Sequence, residues 1–102
     1  MSESELIGAL EDEWEKPDGF WGKLRLGVFD PEGLDRVEAI LKAADLQDKD
    51  VIDRRFVSLT WYIPLFMSWQ QERVEENGGD VTDLVSATNR LQHILEDILG
   101  IP

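Results

Sequence analysis

The one imidazole in the chain, His93, is followed at three and four residues by Glu96 and Asp97. On a helix that spacing sets a carboxylate on the same face as the ring, as a general-base pair or part of a metal site requires. The surrounding segment argues for something plainer. Leu84, Thr88, Leu91, Leu95 and Ile98 form its inner face, and His93 points away from that stripe, so a solvated His with a local ion pair is expected. Carboxylate-bridged di-iron bundles place Glu-x-x-His on each of two helices. A single His that precedes its Glu does not build that pattern.

The other chemistry-bearing residues are no more specific. Asp45, Asp48, Asp50 and Asp53 are dense enough to suggest calcium. Neither the turn-forming Gly nor the closing bidentate Glu of an EF-hand loop falls where it is needed, so they read as a polar connector with helix caps. Gly19, Gly22 and Gly27 match neither a phosphate loop nor a dinucleotide fingerprint. Ser58, Ser68 and Ser86 have no His placed to activate them and sit in no nucleophile elbow. With no cysteine, disulfides, thiolate zinc sites and Cys nucleophiles are excluded. Carboxylates can catalyse alone, yet 22 acidic residues single out no pair. The sequence implies no enzyme: no catalytic residue, no metal ligand and no cofactor site.

Any functional side chain must be positioned by helices, because no segment alternates with a period of two. Ser4 is placed to cap a first helix from about Glu5 to Glu15, with Leu6, Ile7, Leu10 and Trp14 at helical spacing. Pro17-Asp18-Gly19 reads as a turn, and a short helix over Phe20 to Leu26 ends at Gly27. Asp30-Pro31-Glu32-Gly33 is the clearest start signal. Asp30 can accept first-turn amide protons, and Pro31 sits where a missing N–H costs nothing. Leu34, Val37, Ile40 and Leu41 give that helix its stripe, which ends near Ala44. After a polar connector over Asp45 to Asp50, a long helix runs from near Val51 to about Glu76, where Asn77-Gly78-Gly79 stops it. A last helix starts at Asp80 or Thr82 and ends at Gly100. The expected fold is a single all-α domain over residues 1–102, a bundle of four or five helices with a long, Pro-kinked central helix.

That central helix carries more apolar surface than one core face needs. Ile52, Phe56, Leu59, Ile63, Phe66 and Met67 fall within an arc of roughly 100°. Val57, Trp61 and Leu65 lie opposite them, with Tyr62 and Trp69 between. Either the helix is covered on all sides within the monomer, or Val57, Trp61, Leu65 and Trp69 form an interface with another chain. Pro64 adds a local problem, since it removes an N–H and leaves the Thr60 carbonyl needing another donor.

The formal net charge is -12. Such a surface repels phosphate, which argues against nucleic acid, and it disfavours anionic membranes. The apolar stretch Phe56 to Trp69 has 14 residues, short of the roughly 20 that a spanning helix needs. Met1-Ser2-Glu3-Ser4-Glu5 is unlike the basic start of a signal peptide, which makes a cytoplasmic protein the default expectation. Acids outnumber bases by 14 to 6 in residues 1–50 and by 8 to 4 in residues 51–102. The excess is therefore concentrated in the first half, where Glu11, Asp12, Glu13, Glu15 and Asp18 surround Trp14 and precede Trp21. Carboxylates there would meet Lys and Arg on a basic protein, with Trp14 and Trp21 as candidate anchors. A solvated helical face whose Trp packs inward is the competing reading of the same residues.

The segment Gly19-Phe20-Trp21-Gly22-Lys23-Leu24-Arg25-Leu26-Gly27-Val28-Phe29-Asp30, the segment Asp53-Arg54-Arg55-Phe56-Val57-Ser58-Leu59-Thr60-Trp61-Tyr62-Ile63-Pro64-Leu65-Phe66 and the ending Leu99-Gly100-Ile101-Pro102 together carry a resemblance. The chain resembles small acidic bacterial proteins of the immunity type, which neutralise a toxin encoded beside them. The resemblance implies a non-catalytic inhibitor of a cognate toxin, often a nuclease, and assigns no binding residue. The leading expectation is an acidic protein-binding module of this kind. The alternative is a homo-oligomeric structural or adaptor protein, a homodimer for example, joined through Val57, Trp61, Leu65 and Trp69.

Overall fold

The computed structural model describes residues 1–46 and 49–102. Its helices in chain order are α1 (Glu3–Glu15), α2 (Phe20–Leu24), α3 (Pro31–Lys42), α4 (Arg54–Trp61), α5 (Ile63–Trp69), α6 (Gln71–Glu76) and α7 (Val81–Leu99). One residue separates α4 from α5 and one separates α5 from α6, so these three form a single segmented run. The described residues thus make five helical units and contain no strand.

Local chemistry sets the helix ends. α1 starts at Ser2 rather than Ser4, because Glu5 lies three residues after Ser2 and completes a reciprocal box. The Glu5 N–H donates to Ser2 Oγ at 3.1 Å, and the Ser2 N–H donates to Glu5 Oε1 at 3.2 Å. The bond from the Ser2 backbone is the main reason the Glu5 carboxyl lies below its usual range. Asp30 caps α3 by accepting from the Glu32 N–H at 3.2 Å, with Pro31 following it. α4 begins at Arg54 instead of near Val51, because Asp53 accepts from the Arg55 N–H at 2.8 Å and Val51 stays exposed. Asp80 caps α7 in the same way through the Thr82 N–H at 2.8 Å.

Pro64 is accommodated by restarting the helix. Tyr62 stays right-handed at φ -79°, ψ -15°, and Pro64 falls in the first turn of α5, where its missing N–H is no loss. The Phe66 N–H resumes the ladder on the Tyr62 carbonyl at 2.8 Å. The Thr60 carbonyl accepts from the Tyr62 N–H. A second joint at Gln70 leads into α6.

The core lies where these units converge. α1 packs on α2, α3 and α4, while α7 lies against α3, α5 and α6. Phe56, Leu59, Ile63, Phe66 and Met67 of the segmented run are buried, as are Leu84, Leu91, Leu95 and Ile98 of α7. α2 presses against the end of α1 so closely that a Cβ on Gly22 would lie 2.1 Å from the Lys16 carbonyl oxygen. No helix among the described residues is long and apolar enough to cross a membrane.

Candidate protein-contact surface

The acidic stretch of α1 does not present its aromatics to solvent. Trp21 is 0% exposed and Trp14 is 7% exposed, which corrects their assignment as partner anchors. The two indoles stack with centroids 4.5 Å apart, and Phe66 meets the Trp14 ring edge-on at 5.0 Å. Arg25 lies over the Trp14 ring at 5.5 Å. The Trp14 indole N–H donates to the Leu59 carbonyl at 2.9 Å. Leu59 supplies one of the last carbonyls of α4, which lack a partner in their own helix. Trp14 therefore continues the inward line Leu6–Leu10–Trp14 and closes the end of α4.

The surrounding carboxylates are mostly engaged within the chain. Glu13 is buried. Its Oε1 accepts from the Phe20 N–H at 2.9 Å, and Arg36 grips both of its oxygens at 3.0 and 3.1 Å. This pairing raises the Arg36 proton affinity above its ordinary value, the bond to Glu13 being the main cause. Arg55 lies 3.0 Å from Glu11 and 3.4 Å from Glu15, and Lys16 lies 3.3 Å from Asp12. Asp18 is exposed without an ion pair among the described residues. A cavity of about 440 Å³ beside these groups is lined by charges such as Glu13, Lys23, Asp30 and Arg36, and those four are already committed to one another in pairs.

The exposed aromatic surface lies on the segmented run. Trp61 is 56% exposed, Leu65 40% and Trp69 59%, while Val57 and Tyr62 are half-buried beside them. Four-residue steps place Trp61, Leu65 and Trp69 on one face. Tyr62 braces both indoles edge-on, at 5.3 Å from Trp61 and 5.9 Å from Trp69. Next to this ridge a cavity of about 320 Å³ is bordered by Trp14, Arg25, Arg55, Leu59, Trp61 and Tyr62. The face opposite the core is thus uncovered in the single chain, because α1 and α7 pack only on the inner side of the run.

The ridge continues into carboxylates. Glu72, Glu75 and Glu76 of α6, then Asp80 and Asp83, are exposed and form no ion pair among the described residues. Arg73, the one base in that stretch, donates to the Arg25 carbonyl. Among the described residues most cations pair with carboxylates of the same chain, so the net charge is carried by acids without such a partner.

The remaining sequence candidates stay dispersed. His93 is exposed with its Nδ1 3.4 Å from Glu96. Asp48 of the aspartate connector lies outside the described residues. Among the described residues no three His, Asp or Glu side chains converge where an ion could sit. No family model, curated protein or solved structure matches the chain.

Proposed function

We propose that the chain is a non-catalytic, acidic protein-binding module that meets a basic protein on the Trp61–Leu65–Trp69 ridge. The partner named by the immunity-type resemblance is a cognate toxin. One observation carries the reading: two indoles and a leucine stand exposed on one helical face, in a chain that buries its other two indoles. Exposed Trp is the side chain best suited to anchor an interface. The unpaired carboxylates that follow the ridge would steer a basic partner and lose influence as salt rises.

Where a toxin gene lies beside the chain's own, co-expression of the two tests this directly. The wild-type chain restores growth, and a Trp61→Ser/Trp69→Ser double variant that keeps its helicity does not. Absence of any rescue by the wild type rejects a toxin as the partner. Full rescue by the double variant rejects the ridge as the contact surface.

A further inference from the structure

We infer that the cavity beside Trp61 binds a small aromatic carboxylate, its charge on the Arg25 guanidinium and its ring against Trp61 and Tyr62. The inference does not rest on the identity of any protein partner. Three elements meet at this cavity: the end of α1 brings Trp14, the residue after α2 brings Arg25, and α4 with the residue after it brings Trp61 and Tyr62. Its volume of about 320 Å³ lies at the small end of the roughly 300–1,000 Å³ range of small-molecule sites.

Arg25 sets the charge of the ligand. It is exposed and forms no ion pair among the described residues, whereas Arg55 on the same wall is shared between Glu11 and Glu15. One Arg25 N–H donates to the Trp14 carbonyl, and the guanidinium sits 5.5 Å from the centroids of both the Trp14 and Phe66 rings. The Arg25 main chain is fixed in turn by Arg73, which donates to its carbonyl. The planar fork is thus held in place with most of its N–H groups uncommitted, and a carboxylate is the group that takes two of them at once. The lining carries two bases and one acid. The larger cavity beside Glu13, and two that border Phe29 and Asp83, have more acids than bases, so the local sign here opposes that of the whole chain.

The walls set the body of the ligand. Trp61 and Tyr62 meet at 5.3 Å with their planes 64° apart, a corner in which a flat ring can lie on one and turn its edge to the other. The net charge of -12 repels an anion at long range, which keeps the affinity modest, with a Kd on the order of 1 mM for a ligand of this size.

NMR titration of the full chain with cinnamate, cinnamamide, cinnamylammonium and acetate, each to ~10 mM, tests the inference. Cinnamate is expected to shift the Trp61 indole N–H and Arg25 Nε–H signals. Cinnamamide, with the same ring and no charge, binds at least about tenfold weaker; acetate and cinnamylammonium leave both signals in place. Arg25→Gln lowers cinnamate affinity to the level of cinnamamide, and Trp61→Ala weakens cinnamate binding while helicity is retained. Should Arg25→Gln disturb the fold, the comparison of cinnamate with cinnamamide on the wild-type chain carries the test alone. Equal affinity for those two, tighter binding of cinnamylammonium, shifts confined to residues away from Trp61 and Arg25, or no shift at ~10 mM overturns the inference. Growth rescue by the wild-type chain is independent of all these outcomes, so failure here is distinguishable from failure of the toxin reading.

Discussion

Replacing Trp14 by Phe separates a core indole from a surface one. The substitution removes the N–H that satisfies the Leu59 carbonyl at 2.9 Å, leaving a buried acceptor unpaired at about 1–3 kcal/mol. It also withdraws roughly 50 Å² of buried ring, about 1.3 kcal/mol at ~25 cal/mol per Å², and shortens the stack on Trp21. The expected loss is about 2–4 kcal/mol, a fall in thermal midpoint on the order of 10–20 °C for a chain of this size. Trp61→Phe, on an exposed ring, is expected to cost less than about 0.5 kcal/mol. Urea unfolding followed by far-ultraviolet circular dichroism measures both without relying on indole fluorescence. A Trp14→Phe variant within ~0.5 kcal/mol of wild type, or a Trp61→Phe variant equally damaged, would refute the assignment of these two residues.

Three further perturbations probe the frame that holds the ridge. Glu13→Ala strips the Phe20 N–H of its buried acceptor and releases half-exposed Arg36, for an expected loss of about 2–3 kcal/mol in urea titration; Glu13→Gln keeps the acceptor and loses only about 1 kcal/mol. Gly22→Ala would drive a Cβ against the Lys16 carbonyl and is expected to destabilise by about 1–3 kcal/mol or more, read as a lowered thermal midpoint. Lys23 donates to Asp30 at 2.9 Å, and that bond holds the Asp30 carboxyl below its ordinary value. A carboxyl lowered on folding stabilises fully above its unfolded value near 3.9, and the contribution fades as pH falls through the lower folded value. The stability gap between wild type and Asp30→Asn should accordingly narrow as pH drops from about 6 to about 2, and a gap constant over that range would contradict the sign.

Helix starts were legible where one residue decides them. Asp30-Pro31 and Asp80 cap where their side chains reach the next turn, and the α7 stripe from Leu84 to Ile98 is buried along its length. The start of α1 shifted because a reciprocal box at Ser2 and Glu5 outcompetes a lone Ser4. The internal pairing of the α1 cluster was hidden for a different reason. Its neutralising cations, Arg36 and Arg55, arrive from 23 and 44 residues away, and charge density along a sequence does not reveal such long-range pairing. The excess of apolar residues on the central run was visible from periodicity, but which face stays bare depends on how the other helices pack. Trp61, Leu65 and Trp69 could be singled out from the sequence; their exposure could not.

The proposed contact surface holds two of the four indoles, and all four tryptophans supply their own reporters. Titration of the isotope-labelled chain with an inactive form of the basic protein partner proposed above, followed through the indole N–H signals in a heteronuclear NMR spectrum, tests it most directly. The Trp61 and Trp69 signals should shift or broaden on binding, while those of Trp14 and Trp21 hold their positions. A complex that leaves Trp61 and Trp69 unmoved and perturbs only the Glu11–Asp18 amides would contradict the ridge as the contact surface.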